Sequence, residues 1–113
     1  MSRELLEKAA KAAGLIVQKN TEVVNADDRF IGIKVRDTER DKYRLWNPLT
    51  DDGDAFRLAV KLRISVMQPD PADRGNVLAL YSRDGTSEPR GSDPYAATRL
   101  AIIRAAAMGE KPC

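Results

Sequence analysis

The chain has no histidine and one cysteine, Cys113, among its 113 residues. Without histidine there is no Ser-His-Asp triad, no Cys-His nucleophile pair and no His-ligated zinc site. With one cysteine there is no intrachain disulfide, which fits a reducing compartment. Long apolar runs are also missing: nothing approaches the roughly 18 residues that a membrane helix needs. The first fourteen residues carry Arg3, Glu4, Glu7, Lys8 and Lys11, which is not the pattern of a signal peptide. Nor is there an excess of either charge. Nineteen Lys and Arg face 17 Asp and Glu, a net charge of +2. That balance makes no strong electrostatic case for nucleic acid or an anionic membrane, and it lacks the negative excess of a DNA mimic. The expectation is a cytoplasmic protein that acts by binding rather than as an enzyme, with no catalytic residue, metal or cofactor assigned.

What is present is an ordinary globular balance, 42% hydrophobic and 32% charged, in a length that suits one domain over residues 1–113. Residues 2–13 predict a helix: Ser2 is a candidate N-cap, Leu5, Ala9, Ala12 and Ala13 fall at helical spacing, and Gly14 can end it. The short β-branched stretches 15–17 and 21–24 are candidate strands. Ile31, Ile33 and Val35 share one face of a strand over 30–35. A charged tip, 36–42, leads to a returning strand with Tyr43, Leu45 and Trp46. Asn47-Pro48 ends that strand, because proline donates nothing to a ladder. A second helix is expected over 51–62, capped by Thr50, with Ala55, Leu58, Ala59 and Leu62 buried and acidic residues in its first turn. Strands at 64–67 and 77–81 form a second hairpin around a polar loop, and 82–92 reads as a flexible loop. Asp93 then caps a third helix with Pro94 at its first position, an apolar row at Leu100, Ile103 and Ala107, and Gly109 as terminator. The order is helix–hairpin–helix–hairpin–helix, an α+β chain with a mostly antiparallel sheet and no internal repeat.

Two segments carry a family resemblance. The run Trp46-Asn47-Pro48 leads into an acidic-started helix, and an alanine-rich helix, with Ala-Thr-Arg-Leu-Ala-Ile-Ile-Arg-Ala-Ala-Ala from Ala97, closes the chain. In this order, around a hairpin, they resemble the phage ABA sandwich domain of small tailed-phage and prophage proteins. The resemblance covers about residues 30–108 and leaves the first helix outside. It implies an α-β-α layered sandwich and a phage or prophage origin, hence a bacterial host. It implies no reaction, and brings no catalytic residues with it.

Candidate sites stand beside plainer readings. Asp51, Asp52 and Asp54 resemble an oxygen-ligand cluster for Mg²⁺ or Ca²⁺, but EF-hand spacing is missing and dipole complementation accounts for them. Asp27 and Asp28 join them only if the fold brings them near. Arg36, Arg40, Lys42 and Arg44, interleaved with Tyr43 and Trp46, suit a phosphate backbone with stacked bases. Asp37, Glu39 and Asp41 bring the local sum to about zero, which favours a solvated tip, and Trp46 suits a core anchor. The loop 83–92 has glycines, hydroxyls and two arginines before a helix start, but lacks the Gly-Lys-Ser/Thr of a P-loop. Cys113 has no environment that would activate a thiol.

The leading expectation is a phage or prophage accessory protein that binds a host protein or complex. Its sharpest form is inhibition of a bacterial defence system such as CRISPR-Cas. Tyr43, Trp46, Arg83 and Arg90 are the candidate contacts, since aromatic and arginine anchors dominate interfaces. A nucleic-acid or nucleotide binder is the alternative, and an enzyme using carboxylates and a hard metal the weaker one. Alanine faces on the first and third helices fit a monomer or a homodimer.

Overall fold

The structure, a computed structural model, describes residues 2–69, 75–81 and 84–109. Their elements are α1 (Ser2–Ala12), β1 (Ile16–Val24), β2 (Phe30–Arg36), β3 (Arg44–Trp46), α2 (Asp52–Leu62), β4 (Ser65–Met67), β5 (Asn76–Tyr81), β6 (Asp84–Pro89) and α3 (Pro94–Met108). The chain is thus an α+β protein with antiparallel strands. The Ser2 side chain, most of the loop between β4 and β5, Arg83 and Cys113 lie outside the described residues.

Where one sheet was expected, there are two, each a three-stranded meander in the orders β1-β2-β3 and β4-β5-β6. The stretches 15–17 and 21–24 belong to a single strand, β1. Its register on β2 slips between Val17, opposite Val35, and Glu22, opposite Ile33, so a bulge splits the β pattern in two. β6 was not expected at all, because DGTSEP has no apolar alternation. Its inward positions are polar and satisfied one by one. Thr86 donates to the Ala101 carbonyl at 2.8 Å, and buried Glu88 accepts from Arg104. Backbone pairing with β5 along the whole strand holds the rest.

Helix α1 packs on β1 and β2, and α3 packs on β5 and β6. Both helices also touch each other, and α2 lies against α3. The inner face of the second sheet buries Val77 and Ala79, while Met67, Leu78 and Leu80 on its other face are exposed. α3 is therefore the central element, meeting α1, α2 and the second sheet. Ile103 of the expected row and Ala106 beside it are fully buried, and burial extends to Ala101 and Ala105, whereas Leu100 and Ala107 are only partly buried. Alanine suits this position, because small side chains let neighbouring backbones approach a helix on several sides.

The element order contains a repetition that the residue pattern does not show: a three-stranded meander followed by a helix occurs twice. Counted from their N-caps, Asp51 and Asp93, the two helices match at Ala55 and Ala97, Arg57 and Arg99, Leu58 and Leu100, and Ala59 and Ala101. The strands before them share no comparable pattern, which hid the unit. The cap of α2 is Asp51 rather than Thr50, with its carboxylate accepting from Gly53 and Asp54 N–H.

The turn from β3 into α2 is built on Asn47. Its Nδ2 donates to the Ile31 carbonyl and its Oδ1 accepts from Leu49 N–H, each at 3.0 Å. Its backbone N–H donates to Asp54 Oδ2 at 3.0 Å, and its carbonyl accepts from Thr50 and Asp51 N–H. Pro48 beside it is fully buried. Close approach is also required at Gly32, with φ of 145°, where a Cβ would sit 2.7 Å from the Trp46 carbonyl oxygen. Replacing Asn47 by alanine removes two side-chain hydrogen bonds and leaves partly buried backbone groups unpaired. We expect Asn47→Ala to lower stability by about 2–3 kcal/mol, read as a reduced urea midpoint at unchanged slope.

Candidate binding surfaces

Of the candidate partner contacts, Tyr43, Trp46 and Arg90 lie among the described residues, each in a different setting. Trp46 is 3% exposed, packed beside Ile33 of β2 in the core. Tyr43 is half-buried beneath the Arg36 guanidinium, 4.4 Å from its ring centroid. Arg90 is exposed on the segment before α3, and Arg83 lies outside the described residues. At the hairpin tip, Asp37 pairs with Arg44 at 3.0 Å, Asp41 accepts from Thr38, and Arg36 donates to the Glu39 carbonyl. These are local bonds that order the tip, and one of them, Arg44 to Asp37, is an ion pair.

The acidic start of α2 is likewise occupied by the protein itself. Asp51 caps the helix, Asp52 accepts from Arg99 at 2.6 Å, and Asp54 accepts from Asn47 N–H and from Arg57 at 2.8 Å. Asp27 and Asp28 belong to the β1–β2 turn, which Asn25 organises by accepting from the N–H groups of Asp27 and Arg29. Among the described residues, no group of three His, Cys, Asp or Glu side chains is placed to hold a metal ion. The start of α3 offers no free anion cradle, since Asp93 accepts from Tyr95 and Ala96 N–H at 3.1 Å. No helix among the described residues is long and apolar enough to cross a membrane.

Two concave surfaces lie on either flank of α2. The first is a shallow groove of about 390 Å³ between α2 and α3, lined by Ala55, Phe56, Tyr95, Thr98 and Ile102, with Asp52, Gln68 and Arg99 also in its wall. Phe56 and Tyr95 are 69% and 70% exposed, and Val60, one turn beyond Phe56, is 60% exposed. Large apolar side chains so open to water on facing helices form a patch rather than scattered single residues. Arg99 fixes the groove's geometry. It donates to the Leu49 carbonyl at 2.7 Å as well as to Asp52, tying α3 to the start of α2. Gln68 donates to Thr98 at 2.8 Å and closes the end near β4.

The second surface is a smaller cavity of about 220 Å³ between α2, the hairpin and the end of α1. It is lined by Ala13, Leu15, Asp37, Arg44, Trp46, Arg57, Leu58 and Lys61. Neither Phe56 nor Tyr95 stood out in the sequence. Phe56 lies between the apolar stripe positions Ala55 and Leu58, and only its excess over the stripe's width hinted that it faces outward. Tyr95 sits in the first turn of α3, where helix phase alone does not separate the buried side from the open one. Comparison with protein-family models, with curated proteins and with solved structures finds no match.

The burial contrast between the two aromatic sets is measurable. Phe56→Ser and Tyr95→Ser should each change unfolding free energy by no more than about 0.5 kcal/mol, as exposed substitutions do. Trp46→Ala should cost about 3–5 kcal/mol by opening a core cavity. Equilibrium denaturation followed by circular dichroism reads all three.

Proposed function

We propose that this chain is a binding module that engages a partner protein through the α2–α3 groove. The observation that carries the reading is the pair Phe56 and Tyr95, both about seventy per cent exposed, flanking one apolar groove on two helices held in register by Arg99. Leaving two aromatic rings in water on a small protein forgoes about 1.5–3 kcal/mol of burial for a ring of this size. A partner that inserts an apolar anchor between the rings recovers that term, and aromatic rings at the centre of an interface are the usual source of its affinity. Asp52, Gln68, Thr98 and Arg99 supply a polar border for the same contact.

The resemblance of residues 30–108 to phage ABA sandwich proteins supports a phage or prophage accessory role in a bacterial cytoplasm. In that setting the partner is a host protein, and a defence complex such as a CRISPR effector is its sharpest form. Occupying a surface of such a complex blocks it without chemistry, which suits a chain that has no histidine. The nucleic-acid alternative draws less support, because the cations of the hairpin tip alternate with Asp37, Glu39 and Asp41, which nearly balance them and weaken counterion release.

The test is capture from the bacterial host with the tagged chain, followed by reconstitution with the purified partner. A near-stoichiometric host protein should bind the wild type and lose at least about tenfold in affinity, or 1.4 kcal/mol, for Phe56→Ser/Tyr95→Ser. Equal affinity of the double variant would remove the groove from the interface, and recovery of the chain alone would overturn the host-protein reading. Short single- and double-stranded DNA and RNA should show no binding even at low salt, where a phosphate-driven contact is strongest.

A further inference from the structure

The cavity on the opposite flank of α2 has a different chemistry from the groove. Arg57 and Lys61 are one turn apart on α2, so their side chains form one cationic ridge, and like charges at this spacing repel each other. Arg44 and Trp46 are two residues apart on β3 and therefore share a face of that strand. That face meets the ridge. Three cations from two elements thus surround a cavity whose walls are otherwise Ala13, Leu15, Trp46 and Leu58, with Asp37 as the single carboxylate among the described lining residues.

Each of the two arginines is held by a carboxylate, Arg44 by one in the cavity lining and Arg57 by one in its own helix. Asp37 holds Arg44 at 3.0 Å and Asp54 holds Arg57 at 2.8 Å. Each pairing engages one face of a guanidinium that has five donors, leaving others for an incoming oxyanion. Lys61 has no carboxylate in ion-pair reach among the described residues. An anion at the mouth of the cavity would relieve the repulsion along α2, and an apolar body would rest on half-buried Leu15, with the edges of Trp46 and Leu58 behind it. At about 30 Å³ per water, the space suits a single ring or a short branched chain.

The geometry points to this cavity as a binding site for a small organic oxyanion, a phosphate monoester or a carboxylate on an aromatic or aliphatic body. The oxyanion sits between Arg44, Arg57 and Lys61, and the body rests on Leu15 with the edge of Trp46 behind it. The site is separate from the α2–α3 groove, since Phe56 and Arg57 project to different flanks of the helix, and it stands whether or not that groove binds protein.

Trp46 is the only tryptophan in the chain, so its fluorescence reports the cavity directly. The purified protein is titrated with phenyl phosphate, phenylacetate, inorganic phosphate and benzyl alcohol. A saturable change in Trp46 emission is expected with phenyl phosphate, phenylacetate or both, and the arm with the higher affinity identifies the headgroup. Inorganic phosphate and benzyl alcohol should bind at least about tenfold more weakly, because each satisfies only half of the site. Lys61→Glu removes no ion pair seen in the structure and should weaken the ring-bearing anion about tenfold or more. Arg57→Gln is the second variant and should act in the same direction.

No saturable change with either ring-bearing anion up to about 10 mM, a range that reaches even millimolar affinity, would overturn the proposal. So would equal binding by inorganic phosphate, or an affinity unaltered by Lys61→Glu in protein that circular dichroism shows to be folded.

Discussion

The hydrogen-bonded junction at Asn47 sets the geometry on which the rest depends. One side chain joins the first sheet, through the Ile31 carbonyl, to the turn that starts α2, through Leu49 N–H. The same residue's N–H reaches the buried Asp54 carboxylate inside the helix. Buried polar groups are costly unless paired, so this set has few alternative arrangements. α2 consequently leaves the sheet at one angle, with Ala55, Leu58 and Ala59 turned inward. Its remaining surface then has two flanks, Phe56 and Val60 on one and Arg57 and Lys61 on the other. Both candidate surfaces are consequences of that orientation.

α3 provides the second constraint. It is covered by α1, α2 and the second sheet, which explains why alanine dominates its sequence. Polar ties around it replace the apolar contacts that small residues cannot make. Arg99 secures the start of α2, Thr86 bonds the Ala101 carbonyl, and Arg104 meets Glu88 from β6. The repeated meander-and-helix unit puts equivalent arginines to different use. Arg57 pairs within its own helix and faces the small cavity, whereas Arg99 reaches across to the other helix.

Functionally, the molecule divides its chemistry across one helix. The α2–α3 flank is aromatic and open, suited to a macromolecular anchor. The hairpin flank is cationic over an apolar floor, suited to a small anion. Arg44 and Trp46, which the sequence grouped with a nucleic-acid-binding hairpin, end up as two walls of that smaller cavity, joined by cations from the helix that follows them.

The sequence by itself determined the local elements: three helices with their apolar stripes, the Asp93 cap, the Gly14 stop, and the core strand of Ile33 and Val35. These are legible because each is governed by contacts within a few residues, through periodicity, capping and proline or glycine geometry. It also excluded histidine chemistry and an intrachain disulfide outright. The core place of Trp46 was legible too, whereas tertiary structure alone decided that the strands form two sheets, that DGTSEP becomes a strand, and that Phe56 and Tyr95 face out. Each of those outcomes depends on packing between separate elements. β6 is held by β5 and α3, and the aromatic groove exists only once α2 and α3 meet, which no pattern within a single element encodes.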